Sequence, residues 1–182
     1  HSDDLAYVLR SLPDDVSREV LAQMDAAERQ RVETAMSYPE DTAGGLMNTD
    51  VITIRGDVDV DVVLRYLRMK GQLPYATDSL HVIDEESKLI GYLPLATLIT
   101  TQPDIQVSEV MEDADEAIKV DAKDSDVASL FERRNWVSAP VVDEHQHVVG
   151  RITIDDVVDV IREDAEHSMM SMAGMNDDED TF

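Results

Sequence analysis

Carboxylates dominate the chemistry available to this chain. The stretch RITIDDVVDVIRED (residues 151–164) sets five of them against two arginines. If a helix starts at Asp155, then Asp156, Asp159, Glu163 and Glu166 recur every three or four residues and form one stripe, with Val157, Val160 and Ile161 facing elsewhere. Each like-charge pair costs a few tenths of a kcal/mol on an isolated helix. Pressed against a second acidic surface the cost rises, since two carboxylates about 5 Å apart at an effective dielectric near 20 repel by roughly 3 kcal/mol. A divalent cation between the surfaces reverses that sign. The chemistry of such a stripe is therefore cation binding through hard oxygen donors.

Other reactive arrangements are absent from the sequence. There is no cysteine, which removes thiolate catalysis, disulfides and cysteine zinc sites. Neither a Gly-x-Ser-x-Gly elbow nor a His-Glu-x-x-His motif occurs, and no histidine stands beside an evident nucleophile, so the chain reads as no enzyme. The Gly44-Gly45 pair is not followed by Gly-Lys-Ser/Thr and makes no phosphate-binding loop. His145 and His147 alternate in DEHQHVV and read as a polar turn, having no third ligand. Phe131 and Trp136 read as core residues in a chain with few other aromatics.

Forty acidic residues against 15 basic ones give a formal net charge of -25, spread along the whole chain. That field repels phosphate backbones and anionic membrane surfaces, which excludes nucleic acid as a partner and favours cations. The plain alternative is that the charge serves solubility only. No apolar stretch approaches the roughly 20 residues needed to span a bilayer, and no signal peptide opens the sequence.

The elements that must position the acidic stripe follow from periodicity. Residues 3–38 read as three short helices. The first carries Leu5, Val8, Leu9 and Leu12; the second, opened by Pro13, Asp14 and Asp15, is expected to bury Val16, Val20, Leu21 and Met24; the third, opened by Asp25, buries Val32 and Met36. PEDTAGGLM (residues 39–47) reads as a linker and turn. From Val51 a strand, helix, strand, strand, helix order appears twice, at a period of roughly sixty residues. VITIRGDVDVDVVLRYLRMKG and LHVIDEESKLIGYLPLATLI belong to the first copy; AIKVDAKDSDVASLFERRN and APVVDEHQHVVGRITIDDVVDVI belong to the second. The expected fold class is α+β: a small helical N-terminal module, two β-α-β-β-α repeats and a C-terminal helix.

The repeat resembles a tandem of CBS (cystathionine β-synthase) domains, whose last strand and helix read Gly, two apolar residues, Thr, two residues, Asp. Gly150, Thr153 and Asp156 stand in that pattern, whereas the first copy has Gly91, Pro94 and Thr97. Joined to the acidic helical module, the YPED-AGG-M string of residues 38–47 and the acidic terminal helix, the pair resembles the cytosolic part of MgtE-type magnesium transporters. The implied organisation is a truncated helical N domain (1–43), a first CBS domain (44–106), a second (107–165) and the start of a connecting helix with an acidic tail (166–182). The resemblance implies a cytosolic sensor ending before any transmembrane helix, at the cytoplasmic face of the membrane. It also implies a homodimer through the CBS domains and a transmembrane channel domain in the same full-length chain.

The resemblance makes Mg²⁺ the cation, and an ion that keeps several waters and needs only one or two direct carboxylates suits loosely arranged acids. The candidate metal-facing residues are Asp3 and Asp4 in the N module, opposite Asp156, with Asp159, Glu163, Asp164 and Glu166 toward the connecting helix or a partner subunit. Asp3 and Asp4 also read as helix caps, and the others as a solvated face. Asn135 occupies a place where the family carries an acid, which weakens one cation site. A second class of ligand is adenine nucleotide: Thr153 and Asp156 would hold the ribose of ATP, and Asp156 cannot readily serve both ligands. Four methionines, Met169, Met170, Met172 and Met175, suit an adaptable contact surface in a tail expected to fray.

Overall fold

The computed structural model describes residues 2–179, with side chains described from 4 to 174. Three helices open it: α1 (Ser2–Arg10), α2 (Asp14–Gln23) and α3 (Ala26–Met36). Their boundaries have local causes. Pro13 occupies the N-cap of α2 with Asp14 and Asp15 in its first turn, where the helix dipole favours negative charge. The Asp25 carboxylate caps α3 by accepting the Glu28 N–H at 2.8 Å. Replacing Asp25 by Ala removes that acceptor and should lower stability by about 1 kcal/mol, read as a shifted urea midpoint at unchanged slope.

Burial in this module differs from the expectation for α2. Leu9, Ala6, Val32 and Ala35 close the contact between α1 and α3. By contrast Val16 is exposed, Val20, Leu21 and Met24 are only half-buried, and the residue of α2 that is buried is Ser17, whose hydroxyl donates to the Leu9 carbonyl at 2.7 Å. Apolar spacing identified the helix correctly, but that face is only partly covered.

The residues read as a linker form a structured strap. Within it lies α4 (Ala43–Leu46), whose Ala43 and Gly44 N–H groups donate to the carbonyls of Ala122 and Val120 at 2.8 and 2.9 Å. Met47 is fully buried among Ile118, Phe131, Ile152 and Val157. The paired glycines are there for space: a Cβ on Gly45 would lie 2.3 Å from the Pro39 carbonyl oxygen, and one on Gly44 would lie 2.4 Å from the Tyr38 ring. Arg10 ties α1 to the start of the strap by donating to the Ala35 and Tyr38 carbonyls at 2.9 and 2.7 Å.

The first repeat contains β1 (Thr53–Arg55), α5 (Val60–Lys70), β2 (Ser79–Ile83), β3 (Leu89–Pro94) and α6 (Leu95–Thr100). After α7 (Val107–Val110) and β4 (Glu112–Asp113), the second contains β5 (Ile118–Lys119), α8 (Asp124–Arg134), β6 (Ser138–Val142), β7 (Val148–Thr153) and α9 (Ile154–Glu179). The sheets run β1-β2-β3-β4 and β5-β6-β7, each with a parallel pair spanned by a helix and then an antiparallel hairpin. The register repeats at 59 residues: Ser79 faces Pro94 as Ser138 faces Thr153. Even the hairpin turns correspond. Asp84 accepts the N–H groups of Glu86 and Lys88, and Asp143 those of His145 and His147, while Ser87 and Gln146 share a positive φ.

Each repeat has its own core. One gathers Ile54, Val60, Val63, Leu80, Val82, Leu93 and Leu98; the other gathers Phe131, Val127, Ala139, Val141, Ile152, Val157 and Val160 with the strap's Met47. Asn135 takes a left-handed conformation (φ 53°, ψ 40°) as the C-cap that ends α8, a conformation asparagine adopts more readily than most residues. The terminal helix does not stop after the repeat: α9 continues unbroken from Ile154 to Glu179, so the fraying expected of the tail is not seen within the described residues. No helix among the described residues is long and apolar enough to cross a membrane.

Candidate functional site

Val157 and Val160 bury into the second core and thereby fix the rotation of α9. The opposite consequence is that Asp156, Asp159, Glu163 and Glu166 turn together to one side, where they line a cleft of about 470 Å³. Facing them are Asp4 and Tyr7 of α1, Glu40, Gly45 and Leu46 of the strap, and Asp124 of α8. Arg162 is the one basic side chain lining this cleft. The spacing gave the α9 stripe; the resemblance set Asp4 opposite Asp156 and turned Asp159, Glu163 and Glu166 toward the connecting helix or a partner, whereas here these three line the same cleft as Asp4. Sequence reasoning missed Glu40 and Asp124, because their approach depends on how the strap crosses the second repeat: Asp124 N–H donates to the Asp41 carbonyl at 2.9 Å, and Thr42 bridges to Lys123.

One of the candidates stands apart, and another lies outside the described side chains. Asp164 is exposed and is not among the residues lining the cleft; its carbonyl accepts the Ser168 hydroxyl at 3.0 Å. Asp3 falls in the first turn of α1, and its side chain lies outside the described ones, as do those from Met175 onward. Neither Asp3 nor Asp4 precedes the helix as a cap, since α1 begins at Ser2. Among the described residues, no three His, Asp or Glu side chains converge closely enough to form a chelate. The cleft therefore offers dispersed carboxylate oxygens suited to a hydrated ion or to neutralisation at several points, and not a closed protein cage.

Thr153 and Asp156 are adjacent in space. The buried Thr153 hydroxyl contacts the Asp155 carboxylate and lies 3.1 Å from Asp156 Oδ2. In the first repeat the equivalent places hold Pro94, at the N-cap of α6, and Thr97, within it. Asp155 was not singled out by the sequence pattern.

A second opening of about 350 Å³ lies between the repeats. It is lined by Asp78, Ser79, His81 and Tyr92 of the first, by Glu112, Asp113, Asp115 and Glu116, and by Arg134, Trp136 and residues 138–140 of the second. Trp136 is half-buried and stands edge-on to the buried Phe131 at 5.7 Å, so Phe131 is core as expected while Trp136 also borders this opening. Ser138 donates to Asp78 Oδ1 at 2.6 Å across the junction. His81 is 3% exposed and its Nδ1 has no hydrogen-bond partner. Burial, with Arg151 nearby adding and Asp78 opposing, lowers the His81 pKa to about 4. Burial, reinforced by Asp115 and Glu116, pushes the Tyr92 phenol up to about 12, and its hydroxyl donates to the Glu116 carbonyl at 2.6 Å.

The histidines of the second hairpin behave as a turn. His145 and His147 rings lie 6.0 Å apart, and His147 Nε2 is 3.1 Å from the Glu86 carbonyl of the first hairpin.

Comparison with known proteins agrees with this organisation. Residues 1–41 match the family model described as the MgtE intracellular N domain, and residues 43–104 and 107–163 match that of the CBS domain. The magnesium transporter MgtE of Thermus thermophilus is 33% identical over 153 residues, covering 84% of this chain and 34% of its own. That of Bacillus subtilis is 30% identical over 179 residues, covering 97% and 39%. The chain thus spans between a third and two fifths of the length of these relatives. A crystal structure of the cytosolic domain of the Mg²⁺ channel MgtE in complex with ATP superimposes with a TM-score of 0.82 at 34% identity, over 87% of this chain and 65% of that one.

Proposed function

Because this chain belongs to the CBS-domain family and joins its pair of CBS domains to an MgtE N domain, we propose that it is the Mg²⁺-sensing regulatory region of an MgtE-type magnesium transporter. The observation that carries this reading is the cleft in which Asp4, Glu40 and Asp124 face Asp156, Asp159, Glu163 and Glu166. Without a cation these carboxylates repel across the N-module boundary, which opens the module away from α9. Mg²⁺ removes the repulsion and draws the two together, retaining most of its waters. The α9 helix, continuous for 26 residues from the second CBS domain, is the rigid element through which that movement reaches a channel domain in the membrane. The region lies at the cytoplasmic face, and its partner is a second copy of the chain, with exposed apolar residues such as Val158 and Ile161 on α9 available for contact. The resemblance to MgtE-type transporters implies that high Mg²⁺ closes the pore.

Small-angle scattering across a Mg²⁺ titration tests this, in about 1 M NaCl so that general screening is saturated. The radius of gyration should fall to a plateau, and the fall should be absent in an Asp156→Asn/Glu163→Gln variant. An unchanged envelope at every Mg²⁺ concentration would leave the charge with no role beyond solubility.

A second ligand is supported by a separate observation, the opening between the CBS domains bordered by Trp136, Arg134 and His81. An aromatic ring and a neutral imidazole suit a nucleotide base, Arg134 reaches a phosphate only by exchanging its ion pair with Glu116 at 2.5 Å, and the similar cytosolic domain above was solved with ATP. In this reading ATP binds there and biases the closed form, while the chain performs no catalysis.

A further inference from the structure

The 59-residue register places Tyr92 of β3 and Arg151 of β7 at equivalent positions, and Tyr75 and Ala76 at positions equivalent to Arg134 and Asn135. The backbone repeats too, Ala76 and Asn135 both having φ of 53°. The pair therefore generates two related junctions. Around Tyr92 the junction is the opening bordered by Arg134 and Trp136. Around Arg151 the side chain itself crosses the gap. Arg151 is 4% exposed, and its guanidinium donates to the Tyr75 carbonyl and, at 3.2 Å, to the Ala76 carbonyl of the other domain. Its backbone is held as firmly, exchanging both hydrogen bonds with Asn48 at 2.8 Å.

The junction that Arg151 crosses is the one that carries the Thr153 and Asp156 pair. Thr153 lies two residues further along β7, on the same face of the strand, while Ile152 between them points into the core. Asp50, Asp78, Asp155 and Asp156 are close enough to favour the Arg151 charge, against the burial that disfavours it. The Thr153 hydroxyl is already engaged by Asp155 and Asp156. The ribose-type motif that is intact by sequence thus lies beside a junction that the chain fills with its own cation. The open junction belongs instead to the repeat that carries Pro94 and Thr97.

We propose that Arg151 is a resident cation that closes the second inter-domain junction to nucleotides. Thr153 and Asp156 then hold no ribose in this chain, and Asp156 is left to the acidic cleft. The inference rests on the nucleotide reading of the open junction only for its choice of probe.

The test is calorimetry with ATP in EDTA, on the unmodified chain and on Arg151→Ala. The unmodified chain should take up no more than one ATP per chain, with affinity unaffected by Thr153→Ala. Arg151→Ala should bind one ATP more, and adding Asp156→Asn should weaken the gained binding by about tenfold or more. An Arg151→Ala chain that binds no additional ATP overturns the closure, whether the unmodified chain binds one or none. An unmodified chain that binds none overturns the nucleotide reading of the open junction instead. Should Arg151→Ala fail to fold, photolabelling of the unmodified chain with 8-azido-ATP decides. An adduct within residues 148–156 overturns the proposal; adducts confined to residues 112–116 and 134–140, or no adduct, uphold it.

Discussion

Mg²⁺ at about a hundred times its dissociation constant should stabilise this chain by roughly 2.7 kcal/mol, the amount that mass action gives to any ligand of the folded state alone. For a chain of this size each kcal/mol moves the melting midpoint by about 2–4 °C, so the expected rise is roughly 5–10 °C. In Asp159→Asn/Glu163→Gln two opposite changes follow from the same cause. Both residues line the cleft where they face Asp4, Glu40 and Asp124, so removing two charges relieves repulsion and the cation-free variant should melt above the cation-free parent. Its response to Mg²⁺ should shrink to less than half. A merely structural role for these carboxylates would lower the cation-free midpoint instead. Thermal melts in about 1 M NaCl, with and without Mg²⁺, read both signs. A Lys substitution at Asp164, which is exposed and outside the cleft, should leave the Mg²⁺ response unchanged.

Acid should loosen the junction between the CBS domains through His81. Burial lowers its pKa from 6.5 to about 4, so the folded form holds the imidazole neutral while the unfolded chain protonates it first. With the folded pKa depressed, the unfolded state binds more protons between these values. The stabilisation is complete above pH 6.5 and is lost as pH falls toward 4. A shift of this size corresponds to about 3 kcal/mol. The surroundings allow little relief: Nδ1 has no acceptor, Tyr92 stands edge-on at 6.3 Å, and Arg151 opposes a second positive charge, with only Asp78 favouring it. Carboxylates elsewhere also titrate as pH falls toward 4, so the informative quantity is the difference from His81→Leu. Urea midpoints at pH 7, 5.5 and 4.5 should show the parent losing about 2–3 kcal/mol more than the variant across that range. Equal losses in the two chains would mean that His81 is protonated without cost.

Much of this was written in local spacing. The alternation of apolar and polar residues and the two Asp-headed hairpins revealed the repeat, because each repeat buries its own core with the same register and turns. The acidic stripe was legible too, since Val157 and Val160 fix which way a helix of that period turns. Local pattern failed where burial is decided by another part of the chain. The apolar residues of α2 were covered only in part, and PEDTAGGLM, full of turn-forming residues, became a strap whose Met47 completes the core of the second CBS domain. Glu40 and Asp124 enter the cleft because of that crossing, and nothing within a few residues of either announces it.

Arg151 marks the same division. By sequence, an arginine between Gly150 and Ile152 is one cation in an acidic chain, and Thr153 and Asp156 after it look ready for a nucleotide. Only the packing of the two repeats brings the Tyr75 and Ala76 carbonyls within reach of its guanidinium. The sequence alone determined the module order, the repeat and the charge on α9, because helix and strand periodicity act over a few residues. The tertiary structure decided which carboxylates share a cleft and which junction is open, because those depend on contacts between residues tens of positions apart, such as Arg151 with Tyr75 and Asp124 with Asp41.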